Sequence, residues 1–483
     1  MQIRFVGARL GLINSTTRLP FRYGKACLTK CPQATLEATI ECQTKTQVGY
    51  SGDCLPPSWF DKSPTKDYEQ QINDMLSLIR KSIQTFADEF NPPESFFRGW
   101  LRVDERVHQQ ADQSGLPGLL ASFAVSLVER AIIDAMARWS GLSFAELIRR
   151  NDLKIEARLV HPELADCQPR DWLPHQPLTR IHVRHTIGLA DPLTEAQIAP
   201  EDRVDDGYPQ TLEQYVQQLG VRYLKVKVSN DLEADLVRLE TIAAVAERHL
   251  GPDYCLTLDG NEQYTDPADF DRLIEEIQSR PQLQTLWRNT LLIEQPLPRE
   301  ISLNREQTTG IRNLNQYKAV IIDESDQQLD TYRKALELGY RGVSSKNCKG
   351  PIRSLLNAGL TWARNRELGD DRFLMTAEDL CTVGIIPVQS DLCLVATLGL
   401  THVERNGHHY HPGLAYLPFD QQQQALARHP DFYEESGDCV RPYIVKGELQ
   451  IASLQCVGFG FDVLPDFDVL EASDLWSYDS LGL

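Results

Sequence analysis

The 483-residue sequence predicts an α/β fold: a closed (β/α)8 barrel of the TIM type, with an α+β capping domain formed by the N-terminal region and the C-terminal tail. Three observations predict it. Eight short β-rich runs alternate with longer helical patterns between about residues 180 and 405, and such alternation implies parallel strands. Eight strands in about 225 residues match the size of a closed barrel. The glycine-rich dinucleotide and P-loop turns that an open doubly wound sheet would carry after an early strand are absent.

Residues 1 to about 60 alternate in strand fashion, as in LEATIECQT, and two helical stretches follow, Tyr68 to Phe90 and Leu116 to Arg150. The barrel strands are then IHVRHTIGL, YLKVKVS, YCLTLD, TLLIE, AVIID, YRGVSSK, RFLMT and THVER. After the second, Leu232, Leu236, Leu239, Ala243, Ala246 and Leu250 step by four and three and form one buried helical stripe. Residues 440 to 465 read as strand again, with YIVKGELQIA leading to VGFGFDV, where Gly458-x-Gly460 reads as a turn rather than a nucleotide site. The chain divides into a capping domain (1–155), a barrel (156–415) and a C-terminal segment (416–483) that returns to the cap over one barrel mouth.

Composition narrows the function. Hydrophobic residues at 42% and charged residues at 24% are globular values, which exclude wholesale disorder. The net charge of −19 repels phosphate backbones and anionic membrane surfaces, so neither nucleic acid nor a membrane is expected as a partner. MQIRFVGARL lacks the apolar run of a signal peptide, and the expected location is cytoplasmic. The 11 cysteines include no C-x-x-C pair and read as reduced thiols; Asn14-Ser15-Thr16 reads as a silent glycosylation match.

In a parallel barrel, residues at the C-terminal strand ends converge on one face. The second strand ends in Lys225-Val226-Lys227, whose period of two aims both lysines into the barrel while Leu224, Val226 and Val228 face helices. The third ends in Asp259-Gly260-Asn261, the fourth in Glu294, the fifth in Asp323-Glu324 and the sixth in Lys346. Three like charges in one mouth repel unless a cation sits among them. Asp259, Glu294 and Asp323 offer oxygen alone, which suits Mg²⁺, with Mn²⁺ as the alternative. Lys227 and Lys346 come from opposite sides of an eight-stranded ring and would flank a ligand, and Lys225 is placed to lower the pKa of Lys227 as a neighbouring ammonium. These parts suit abstraction of a proton α to a carboxylate.

The motifs YLKVKV, LTLDGNE, LLIEQP, IIDES and VSSKNCKG resemble the enolase superfamily, closest to the Lys/Lys branch of its mandelate racemase and muconate lactonizing enzyme group. The resemblance implies a modified TIM barrel, Lys227 and Lys346 as acid/base pair, and Asp259, Glu294 and Asp323 as Mg²⁺ ligands. It also implies a homo-oligomer. VERAIIDAMARWSGLSFAELI looks like the helix-turn-helix by which the family leaves its cap and enters the barrel, and LPFRYG and VGYSGD look like its two cap loops, which makes Arg22, Tyr23, Tyr50 and Asp53 candidate substrate contacts. Asn261 and Glu324 are candidates beside the metal or the substrate.

The His-Asp pair of the mandelate racemase-like branch is missing, since the seventh strand ends LMTAEDL, so acid-sugar dehydration is disfavoured. Extra lengths near 165–180, 191–208 and 411–440 bear on the substrate. His408, His409 and His411 fit no standard zinc spacing and read as polar lining of the barrel mouth or as surface. The expected activity is Mg²⁺-dependent conversion of a small carboxylate through a metal-stabilised enediolate, by a racemase or epimerase. Cycloisomerisation and β-elimination share that intermediate. A barrel glycosidase and a catalytically silent metal- or carboxylate-binding barrel are the rivals.

Overall fold

Three long strands, Gln2–Tyr23, Ala26–Cys42 and Lys45–Cys54, form an antiparallel meander in the computed structural model, which describes residues 1–23 and 26–483. Gly24 of LPFRYG lies outside the described residues. In the second strand Leu36, Ala38, Ile40 and Cys42 are buried, and their period of two turns one face of the meander inward. Helices Tyr68–Glu89, Phe96–Gln113 and Gly118–Ser140 pack together, and the last lies against the meander. Gly49 permits that approach, because a Cβ there would lie 2.2 Å from the backbone nitrogen of Ala135.

The helical stretch Leu116–Arg150 is two helices joined by a turn, as the helix-turn-helix resemblance of VERAIIDAMARWSGLSFAELI implies. The first ends at Gly141 in the left-handed conformation (φ 64°), and Phe144–Arg149 restarts behind a capping box in which Ser143 and Glu146 bond reciprocally. Phe96–Gln113 is an addition to the sequence reading. Its buried Phe97, Trp100, Val103, Val107 and Ala111 keep helical spacing amid many charges.

All eight expected barrel strands form: Arg180–Ile187, Tyr223–Lys227, Cys255–Asp259, Thr290–Glu294, Ala319–Ile322, Gly342–Ser345, Leu374–Ala377 and His402–Arg405. They pair in parallel in that order, and the eighth closes on the first with His402 opposite His182. Leu224, Val226 and Val228 pack outward with Leu236, Leu239, Ala243 and Ala246 of helix Leu232–Leu250, as the alternation requires.

The tail splits between barrel and cap. Glu448–Gln450 pairs antiparallel with the start of the first barrel strand, whereas Glu471–Ala472 pairs with the first strand of the meander. VGFGFDV is not a strand: Gly458 and Gly460 turn at φ 102° and 91°, and Phe459 stacks on Phe144 at 4.0 Å. Asn14 uses its amide on the tail, donating to Ser480 and accepting from Trp476. All 11 cysteines are free, and among the described residues no helix is long and apolar enough to cross a membrane.

Candidate active site

Lys227, Asp259 and Glu294 end consecutive strands and lie side by side in register. Asp323, Lys346 and Glu378 follow the fifth, sixth and seventh strands directly, and Glu404 sits within the eighth. The parallel ring therefore gathers all seven at one mouth.

Lys225 is the hub of this charge cluster. Its Nζ lies 2.6 Å from Glu294 Oε1, 2.9 Å from Glu404 Oε2 and 3.3 Å from Asp259 Oδ2, and it also donates to Glu378. Burial pushes this ammonium down, but the four carboxylates outweigh burial and hold its pKa well above the lysine range. Lys225, expected as the ammonium neighbouring Lys227, shares its charge among these four acids. Glu378 is shared with the buried Arg184, yet desolvation and the nearby Glu294 hold its carboxyl well above the usual range.

Asp323 is gripped from both sides. Lys346 Nζ lies 2.7 Å from its Oδ2, and Lys349 Nζ 2.8 Å from its Oδ1, while Ser344 Oγ also donates to Oδ1. These cations outweigh desolvation and keep the carboxyl far below its ordinary pKa. Lys346 responds in kind: burial lowers it, the charge of Asp323 raises it further, and it stays an ammonium, stacked 4.8 Å over the ring of Trp59. The buried amide of Gln295 fixes the backbone beneath, accepting from Asp323 N at 2.7 Å and Ser325 N at 3.2 Å while donating to Leu297 O.

Lys227 donates to Asn261 Oδ1 at 3.2 Å, and Asn261 Nδ2 donates to Glu324 at 3.3 Å. Desolvation, with the charges of Asp323 and Glu262, raises the Glu324 carboxyl to about 7. A cavity of about 60 Å³ lies between these groups and the cap, which contributes Phe21, Tyr23, Ser58, Trp59 and Lys62. Tyr23 thus reaches the site, with its hydroxyl donating to Pro57 O. Arg22, Tyr50 and Asp53 do not line the cavity. Arg22 is exposed, the Tyr50 backbone bonds to Asp134, and Asp53 is buried in an ion pair with Arg130.

One oxygen each of Glu294, Asp323 and Glu378 lie within 4.8 Å of one another, and Glu294 Oε2 is buried without a hydrogen-bond partner. This oxygen-only set fits a hard divalent cation. Asp259 of the sequence-based set stands beside this group: its Oδ1 accepts from Asn261 N at 2.7 Å and its Oδ2 lies 3.3 Å from Lys225 Nζ. Glu378 and Glu404 were open to discovery in LMTAEDL and THVER by the strand-end rule that finds Asp259, Glu294 and Asp323. Trp59 and Lys62 have no such signal, since only tertiary packing brings them over the mouth.

The histidine cluster lies elsewhere. His409 and His411 are buried, His408 is half-buried, and all three sit on the flank of the barrel rather than in its mouth or on the surface.

No known family profile and no curated protein matches the sequence. Solved structures match its fold along almost the whole chain. A mandelate racemase/muconate lactonizing protein from Herpetosiphon aurantiacus is 15% identical over 96% of this chain and 99% of its own, with a TM-score of 0.60. A dipeptide epimerase from Enterococcus faecalis V583, complexed with Mg and the dipeptide L-Leu-L-Tyr, is 16% identical over 96% and 100%, with a TM-score of 0.58. An enolase from Bradyrhizobium complexed with magnesium and mandelic acid is 16% identical over 96% of both chains, with a TM-score of 0.55. The barrel with its capping domain is the fold that these structures share.

Proposed function

We propose that the chain is a Mg²⁺-dependent enzyme that removes the proton α to a substrate carboxylate, and that it acts as a racemase or epimerase. The observation that carries this reading is that Lys227 and Lys346, from the second and sixth of eight strands, face one cavity whose floor is a buried carboxylate cluster. Lys346 enters the reaction as an ammonium held by Asp323 and therefore gives a proton to the α-carbon. Lys227, oriented by Asn261 Oδ1, takes the proton from the opposite face. Glu294, Asp323 and Glu378 would hold the cation, with Asp259 beside them. When bound, the cation supplies charge that offsets the second negative charge a carboxylate develops on α-deprotonation. Trp59 and Tyr23 shield the lysines from water.

The substrate class is a small carboxylate. Two similar structures support it, since one holds magnesium with a dipeptide and the other magnesium with mandelic acid. Reprotonation from the other face inverts the centre, which favours racemisation or epimerisation over cycloisomerisation and β-elimination from the same intermediate. The test is proton NMR in D₂O with Mg²⁺ and pooled dipeptides, N-acyl amino acids and hydroxy acids. Exchange of the α-hydrogen that requires Mg²⁺ is expected, with a loss of at least 10³-fold in Lys227→Ala and in Lys346→Ala. Turnover that survives both substitutions overturns the assignment, and metal-independent sugar release would favour glycosidase chemistry.

A further inference from the structure

We propose that the chain has a second binding site, for a small uncharged molecule with an apolar body and a hydroxyl or N–H group, in the cavity between the outer barrel wall and the 408–442 segment. This cavity measures about 260 Å³. On its barrel side Val183 and Arg405 point outward, alternating with Arg184 and Glu404, whose side chains meet Glu378 and Lys225 inside the barrel. Residues 411–414 and 436–442 form the other side, and Asp206 and Tyr208 border it. Most of these lie in the extra lengths near 191–208 and 411–440. Among the described residues, none lines both this cavity and the catalytic one.

The lining selects the ligand. Its arginines are already neutralised: Arg18 Nε lies 2.5 Å from Asp206, Arg405 Nη1 3.1 Å from Asp379 and 3.2 Å from Asp391, and Arg441 Nε 3.0 Å from Glu434. An anion therefore finds no free cation among the described lining residues. Val183, Val383, Val388, Leu414, Ile444 and Leu449 supply an apolar wall. Two imidazoles interrupt it. His411 is 3% exposed, and its Nδ1 has no hydrogen-bond partner; His408 Nδ1 is also buried without one, although its Nε2 meets His185 at 3.1 Å. Buried polar atoms are rarely left unpaired, and a ligand O–H or N–H supplies the missing partner. Burial lowers His411 to about 4, so the ring is neutral and able to accept. A 150 Å³ apolar cavity holds benzene, so this one has room for a bicyclic molecule of roughly eleven heavy atoms.

The full chain with labelled histidine is titrated with 2-naphthol, naphthalene and 2-naphthoate while imidazole NMR resonances are followed. The expected result is saturable shifts of His408 and His411 with 2-naphthol, at least tenfold tighter than with the other two. His411→Leu should weaken 2-naphthol at least tenfold and leave naphthalene unchanged. Val388→Phe, which fills the cavity, should abolish the shifts, with its thermal midpoint reporting that it folds. Absence of saturable shifts, equal affinity for naphthalene, or tighter binding of 2-naphthoate overturns the proposal. So does competition between 2-naphthol and a Mg²⁺-dependent carboxylate ligand, which would make the two cavities one site. Binding is read without turnover, so the outcome is independent of the proposed reaction.

Discussion

Gln295 shows how one uncharged side chain can govern a charged site. Its buried amide accepts from the backbone N–H groups of Asp323 and Ser325, the segment that presents Asp323 to the mouth. Gln295→Leu leaves both donors unpaired, and each buried unpaired donor costs about 1–3 kcal/mol. A loss of about 2–4 kcal/mol in unfolding free energy is therefore expected, read from the urea midpoint at constant slope. Glu378 makes a different claim, because it and Asp259 compete for the third place beside Glu294 and Asp323. Their proximity favours Glu378, so Glu378→Gln should weaken Mg²⁺ at least tenfold by calorimetric titration and Asp259→Asn should weaken it less. The reverse order would return Asp259 to the cation and leave Glu378 as the partner of Lys225 and Arg184.

The histidine cluster gives the flanking segment a pH response. His411 is held at about 4 by burial, below its ordinary value near 6.5. The unfolded chain protonates it first, so its contribution is intact above about pH 6.5 and is lost as pH falls through about 4. Over that window the unfolding free energy should drop by up to about 3 kcal/mol from this group. His411→Leu should flatten the profile, as measured by urea unfolding between pH 4 and 7; an unchanged slope would remove His411 as its source. The same segment marks the limit of what sequence discloses. The barrel strands are legible because they are short β-rich runs alternating with helical patterns; the second to sixth also end in or beside a charge, and a parallel ring converts that pattern into a shared mouth. The lysines and carboxylates of the candidate site are legible for the same reason. Helix Phe96–Gln113 is obscured because charges crowd its apolar spacing, and the tail misleads because YIVKGELQIA has strand composition whether it joins cap or barrel. His408 and His411 give no periodic signal, and only the course of the 411–440 segment buries them.

Cap and barrel meet at one corner through Glu262. Its carboxylate pairs with Lys62 of the cap loop and, at 2.8 and 2.9 Å, with Arg299 of the loop after the fourth strand. Arg299 in turn donates to the carbonyls of Trp59 and Phe60 at 3.3 and 3.2 Å, and Trp59 covers Lys346. The cavity of about 60 Å³ is small for a carboxylate, and movement of the 56–62 segment would widen it. Glu262 is thus the clasp of that movement. Desolvation raises its pKa, but Arg299 and Lys62 outweigh this and bring it to about 2. The clasp is complete above about pH 4.5 and is lost only as pH falls through about 2. Glu262→Gln removes the charge that both cations share, and amide hydrogen exchange over residues 56–63 should accelerate at least tenfold while exchange in the barrel strands stays unchanged. In the unsubstituted chain the same segment should remain protected at pH 4, once intrinsic rates are corrected. Exchange at equal rates in the two proteins would mean that Phe60, packed 4.5 Å from Phe123, holds the loop by apolar contact and that the ion pairs merely accompany it.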